Sequence, residues 1–211
     1  NKPYVINKMA MSLDGRTAMA SGESQWITGP QARAQVHLLR AQSCAIITGI
    51  GSVLRDDPSM NARAQELKIS GVPDTTVKRM KQPLRVILDS QLRMPVTAKL
   101  LQQSGPVLVV TCVTDLKLHK PLVDAGAELV VCALNGDEKV DLAAVLKVLS
   151  QRQCNQVLVE AGAGLSGAFL TEGLTDHLVV YMAPKLLGSK AKALFNLPLD
   201  KLSQAYGLDI K

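Results

Sequence analysis

Aromatic side chains are scarce in this chain: one tryptophan, three tyrosines and two phenylalanines make up 3% of its 211 residues. Val, Leu, Ile and Ala must therefore fill the core, and a surface built to stack unpaired bases is disfavoured. Cysteine is thin as well. Cys44, Cys112, Cys132 and Cys154 stand far apart with no C-x-x-C pair, which argues against a disulfide framework or a zinc site. His37, His119 and His177 are equally isolated, so no metal is expected. No apolar run is long enough to span a bilayer, and the opening "NKPYVINKMAMS" lacks a signal-peptide layout. The expectation is a cytoplasmic protein with no membrane partner.

What is present is ordinary for a soluble globular enzyme, with 47% hydrophobic and 20% charged residues. The length suits one domain over 1–211 with a single core. A net charge of +6 admits a nucleic-acid partner, but the basic residues are scattered rather than gathered in a patch. Small phosphorylated ligands explain the excess equally well, and no nucleic-acid partner is expected.

Strand-like apolar runs recur at 4–11, 44–49, 84–90, 106–113, 127–134, 156–162 and 177–184. Helix-like stretches lie between them. One spans 29–43, with Pro30 at its start after a cap at Thr28. Another spans 141–153, capped by Asp141, with Leu142, Val145, Leu146 and Leu149 on one face. Near-continuous Val/Ile/Leu strands alternating with helices predict a mostly parallel sheet covered on both faces. The polar, aperiodic stretch 63–83 reads as a long surface loop.

In "VLVEAGAGLSGAFL" (157–170), Gly162, Gly164 and Gly167 satisfy G-x-G-x-x-G between a strand and a helix. Backbone N–H groups at a helix start, with the helix dipole behind them, form an anion site. Two readings stay open: a phosphate-gripping loop, or glycines that merely tighten a turn. A Rossmann fold is rejected, because too little chain follows and Lys185, not an acidic residue, arrives after the next strand.

Other residues invite chemistry. Lys8 lies mid-strand on the face of Ala10 and Ser12, either as a stem that snorkels to the strand end or as a catalytic or ligand-binding ammonium, which when buried needs an anionic or polar partner or loses its proton. Glu160 ends its strand just before the glycine loop, where open α/β sheets place their ligands. Trp26, beside Gly, Glu, Ser and Gln, is a lid over a flat heterocycle or a half-buried packing residue. Asp56 and Asp57 precede Pro58 as turn chemistry or as part of a mixed-charge pocket. Arg40, at the exposed end of its helix, and Arg63 are candidates for a phosphate clamp.

The stretches "KMAMSLDGRTA", "SGESQWITGPQAR", "LLRAQ", "GIGSVLRDDPSMNAR", "VILDS", "VEAGAGLSGAFL" and "YMAPKLLG" together resemble the reductase domain of the bacterial bifunctional riboflavin-biosynthesis deaminase/reductases. They cover nearly the whole chain in the family's order. The resemblance implies an α/β, dihydrofolate-reductase-like three-layer sandwich with a mixed, mostly parallel central sheet. It implies NADPH as cofactor and reduction of 5-amino-6-(5-phosphoribosylamino)uracil to 5-amino-6-(5-phosphoribitylamino)uracil. Carried over by position, Ala10, Trp26, Ser52, Asp56 and Ser90 would contact NADPH, as would Gly162, Ala163, Gly164, Leu165, Ser166, Gly167 and Ala168. Ser24, Arg40, Met60, Arg63 and Glu160 would contact the substrate. Within that scheme the glycosylamine opens to an imine, Lys8 or water it orients supplies the proton, and Glu160 fixes the aminouracil ring. Ser52 stands where threonine is common and Met60 where leucine is, and both changes keep the chemistry.

The deaminase half, with its H-x-E and P-C-x-x-C zinc ligands, has no counterpart here, so the chain is expected to be a reductase only, as in the second half of a longer polypeptide. The family's final antiparallel strands, expected after Leu208, are missing too, and the sequence is expected to be trimmed. An exposed apolar sheet edge favours a homodimer.

Overall fold

All seven apolar runs become strands of one sheet. In the computed structural model, which describes residues 2–24 and 26–210, the strands are β1 (Tyr4–Ser12), β2 (Arg16–Ala18), β3 (Ala45–Gly49), β4 (Leu84–Leu88) and β5 (Val107–Thr111), then β6 (Glu128–Val131), β7 (Gln156–Val159), β8 (His177–Ala183) and β9 (Lys192–Ala193). Gln25, part of the "SGESQWITGPQAR" stretch, lies outside the described residues. The helices are α1 (Pro30–Gln42), α2 (Ile50–Asp56), α3 (Ala64–Ile69), α4 (Asp74–Arg79), α5 (Leu116–Asp124), α6 (Leu142–Gln151) and α7 (Ala163–Thr171).

The main sheet runs β6-β5-β4-β3-β7-β1-β8, an order no Rossmann domain has. Every described pairing within it is parallel. The antiparallel share of the expected mixed sheet sits instead in a separate two-stranded ribbon, β2 with β9. Parallel strands buried on both faces explain the continuous Val/Ile/Leu runs. On one face Val5, Ile47, Val157 and Val159 pack against Leu142, Val145, Leu146 and Leu149 of α6 and Phe169 of α7. On the other, Ile6, Ile46 and Leu158 meet Leu39 of α1 and Met60, while Ile87 and Val109 meet Val53 of α2 and Leu122 of α5. Each fully buried aliphatic side chain contributes about 2 kcal/mol through removal from water.

Local signals account for most boundaries. Asp141 caps α6 by accepting from Ala144 N at 3.0 Å. Pro30 does open α1, but the cap residue is Gly29, with no side-chain bond, rather than Thr28. The reading of 63–83 as a loop is corrected: α3 and α4 lie there, each six residues long. Helices that short show no full amphipathic period, and Leu67 alone anchors α3 in the core.

Candidate active site

Strand order locates the crevice. From β3 the chain steps through β4, β5 and β6 towards one edge, whereas from β7 it crosses over β1 to β8 at the other. The carboxyl ends of the neighbouring strands β3 and β7 therefore form the switch point at which open α/β sheets bind ligands. Glu160 follows β7 there, and its amide donates to Ile47 O at 2.9 Å.

Glu160 is the hub of an ion cluster on the α1 face. Arg40 Nε donates to Glu160 Oε1 at 2.6 Å and Arg40 Nη2 to Oε2 at 3.0 Å, a two-pronged bond. Lys8 Nζ reaches Oε2 from β1 at 3.4 Å. The Glu160 side chain is 12% exposed and those of Lys8 and Arg40 are each 16% exposed. Burial alone would raise the Glu160 carboxyl, but Arg40 and Lys8 beside it win and hold it at about 2. Burial likewise works to lower the Arg40 pKa, and the Glu160 carboxylate outweighs it. Two cations against one carboxylate leave the cluster positive, ready for an anion or an electron-rich ring. Tyr181 stands opposite Ala10 across the β1–β8 pairing, its phenol pushed up by burial and by Glu160.

Two expectations are corrected here. Arg40 is no exposed helix end: besides Glu160, its Nη1 donates to Asn61 O at 3.1 Å. Met60 does not offer its side chain to a ligand, because it is 3% exposed and packed with Ile6, Ile46 and Leu158. Arg63 remains exposed, with its backbone amide on His37 Nδ1 at 3.1 Å.

The glycine loop lies on the opposite face, at the start of α7. Its first intrahelical bond is Ser166 N to Gly162 O, so the amides of Ala163, Gly164 and Leu165 come before the helix ladder begins. No side chain caps them. The glycines do different jobs. A Cβ on Gly164 would meet nothing within 4 Å, whereas one on Gly167 would fall 2.4 Å from Asn196 O. Gly167 therefore lets the 194–197 segment pack closely on α7. Ser166 is fully buried, its hydroxyl on Ala161 O and its carbonyl accepting from Asn7 Nδ2, so it too is turned inward. Ala168 is a partly buried neighbour of the apolar core beneath α7. The uncapped amides at the start of α7 are those of Ala163, Gly164 and Leu165, following Gly162.

The remaining positions ring the same end of the sheet. Ala10 is on β1, and Ser52 and Asp56 are on α2, which begins beside Leu165: a Cβ on Gly49 would lie 3.4 Å from that side chain. Asp56 pairs with Arg55 at 3.4 Å. Ser90 follows β4 and its hydroxyl accepts from Val140 N at 3.0 Å. Ser24 and Trp26 belong to a separate loop. Trp26 is 63% exposed with the Arg33 guanidinium 4.6 Å from its ring centre, so the half-buried packing reading fails and a free aromatic face remains. Lys185 Nζ holds the Trp26 carbonyl at 2.9 Å.

Sequence reasoning missed three supports. His37 lies one turn before Arg40, a spacing that would have flagged it. Gln82 and Asp14 give no such signal. Asp14 accepts from Ser12 Oγ and from the amides of Leu187 and Gly188, which hold its carboxyl at about 2 and tie the 185–188 loop to the end of β1.

Residues 3–205 match the family described as the RibD C-terminal domain. This chain belongs to that family. Its likeness to the riboflavin biosynthesis protein RibD of Escherichia coli is 44% identity over 206 residues, covering 96% of this chain and 54% of that protein. Acinetobacter baumannii RibD superposes with a TM-score of 0.81 at 42% identity, over 97% of this chain and 52% of that one. A Thermotoga maritima diaminohydroxyphosphoribosylaminopyrimidine deaminase/5-amino-6-(5-phosphoribosylamino)uracil reductase gives 0.77 at 26% identity, over 97% and 51%. The RibD C-terminal domain seen here thus spans about half the length of the relatives it matches, and the dihydrofolate-reductase-like layering expected for it is the fold observed.

Proposed function

We propose that this RibD C-terminal domain reduces the ribosyl group of 5-amino-6-(5-phosphoribosylamino)uracil to the ribityl group, with NADPH as reductant. The observation that carries the reading is the Lys8–Glu160–Arg40 cluster at the switch point, with an uncapped helix start on the opposite face. Two anion-receptive places then flank one crevice, as a dinucleotide and a phosphosugar require.

The fit of a dinucleotide rests on the cradle itself: three free amides, no competing cap, and open space over Gly164. Gly162 to Leu165 would hold the pyrophosphate, with Ser52, Asp56, Ser90 and Trp26 around the rest. NADPH supplies a hydride when bound.

The chain's own residues do the remainder. Glu160 stays ionised at neutral pH, so it is an acceptor and not a proton donor; the aminouracil N–H groups are its natural partners. Arg40 fixes both its oxygens, which makes the carboxylate a rigid docking edge. Lys8 has one donor engaged by Glu160 and two left over. The imine carbon C1′ of the opened sugar would accept hydride readily only if the imine nitrogen is hydrogen-bonded or protonated as charge shifts onto it, and Lys8, directly or through a water, would provide that proton to the nitrogen. Arg63, exposed and next to the cluster, takes the 5-phosphate. Most of the rate comes from holding donor carbon and C1′ in contact.

The same reading places a deaminase domain in the remaining half of a longer chain and takes the enzyme as a homodimer. It places the enzyme in the cytoplasm; no helix among the described residues is long and apolar enough to cross a membrane. Following NADPH absorbance with the phosphoribosylaminopyrimidine tests the proposal. Substrate-dependent oxidation that disappears in Lys8→Ala, with NADPH affinity kept, is expected. Absence of turnover in the unmodified chain would refute it.

A further inference from the structure

Residues 57–63 cross from α2 to α3 without regular structure, yet Ser59, Met60 and Ala62 are buried. Backbone groups in such a segment need partners. Three consecutive residues find theirs in side chains from elsewhere. Arg40 Nη1 donates to Asn61 O at 3.1 Å. Gln82 grips Ala62 twice, its Oε1 accepting from the amide and its Nε2 donating to the carbonyl, both at 2.9 Å. His37 Nδ1 accepts from the Arg63 amide at 3.1 Å. His37 is 7% exposed, while the Arg63 residue itself is exposed.

We infer that His37 and Gln82 are positioning residues which aim Arg63 at the phosphate of the substrate. The inference rests on the reading of Arg63 as the phosphate-binding arm. Chemistry favours these side chains for the task. To accept the Arg63 amide, Nδ1 must carry a lone pair, so the ring proton sits on Nε2. Burial, together with Arg40 and Arg63, lowers the His37 pKa to about 4, so the acceptor persists at neutral pH. An arginine side chain has many rotamers, and its usefulness as an anion clamp depends on a fixed Cα direction. Holding residues 61, 62 and 63 by three side chains, two from α1 and one from Gln82, fixes that direction without touching the guanidinium.

A merely structural role would lower stability and leave ligand preference alone. The test is therefore a selectivity measurement on the holoenzyme. His37→Leu removes the acceptor; His37→Asn keeps an oxygen near the Nδ1 position. KM is measured for the phosphorylated aminopyrimidine and for its 5′-dephospho counterpart, with kcat alongside, and ribose 5-phosphate binding is followed by calorimetry. One buried unsatisfied amide is enough for a loss of about tenfold. His37→Leu should raise KM for the phosphorylated substrate, and weaken ribose 5-phosphate, by about that factor, with the dephospho KM and kcat held to about twofold. His37→Asn should restore most of the loss. In an Arg63→Ala background His37→Leu should add nothing, since its target is gone. If His37→Leu does not fold, Gln82→Leu carries the same expectation. Equal losses on both substrates, or a loss that persists without Arg63, would overturn the inference. Arg63→Ala without effect on phosphate preference would instead overturn the phosphate assignment beneath it.

Discussion

Replacing Glu160 by Gln keeps the shape of the hub and removes its charge. Lys8 and Arg40, each 16% exposed, would then face each other with no anion between them. Breaking a buried ion pair by neutralising one partner costs about 3–5 kcal/mol. The pH dependence gives an independent figure. The carboxyl sits at about 2 in the folded protein against 4.5 for an ordinary glutamate, a difference of 2.5. At about 1.4 kcal/mol for each pH unit this is about 3 kcal/mol. Because the folded value is depressed, the stabilisation is fully present above pH 4.5 and is lost as pH falls towards 2. Thermal unfolding of both proteins at pH 7 should show a drop of about 6–20 °C for the variant, given about 2–4 °C per kcal/mol at this size. Denaturant unfolding across pH 7 to 2 should show the gap between the two proteins closing below pH 4.5. A gap near zero at pH 7, or one that stays constant down to pH 2, would refute the claim that an ionised Glu160 holds two cations in place.

Further outcomes follow from the same structure. Gly164→Ala, with open space at the Cβ, should hold or slightly raise stability, by up to about 1 kcal/mol, while weakening NADPH binding in a titration. Gly167→Ala should do the reverse, losing about 1–3 kcal/mol in chemical denaturation because Asn196 O must move. Arg85, 1% exposed, donates to the carbonyls of Leu100 and Gln103 at 2.8 and 3.2 Å and to that of Gly105, so Arg85→Leu should lower stability by about 3 kcal/mol or more. Asp141→Ala should cost about 1 kcal/mol through loss of the α6 cap, read as a shift in the unfolding midpoint.

The sheet was legible because burial on both faces leaves an unmistakable trace: "CAIITG", "LRVILDS" and "PVLVVTCV" could hardly be anything but interior strands. The α6 face was legible for the same reason, its four predicted core positions all being buried. Residues 63–83 were not, because a six-residue helix carries too little period to read. At the site, the need of a buried Lys8 for an anionic or polar partner was visible in the sequence, and Glu160 at 3.4 Å meets it. That Arg40 would claim the same carboxylate, 120 residues away along the chain, was not visible. Periodicity reports faces, not partners across the fold. The G-x-G-x-x-G spacing could not tell the glycines apart, since one faces open space and another faces a backbone carbonyl, and both look alike as letters.

The strand order has a consequence for how the molecule is made. β1 precedes every other strand described here, yet its neighbours in the sheet are β7 and β8. Until residues 156–183 have been synthesised, the apolar flanks of Val5, Ile6 and Met9 and both rows of unpaired amides on that segment have nowhere native to go. Lys8 thus rides on a strand whose partners arrive late. A nascent chain stalled short of β7 would expose a sticky strand, and shielding it until the C-terminal third arrives is the hazard this topology hands to the cell.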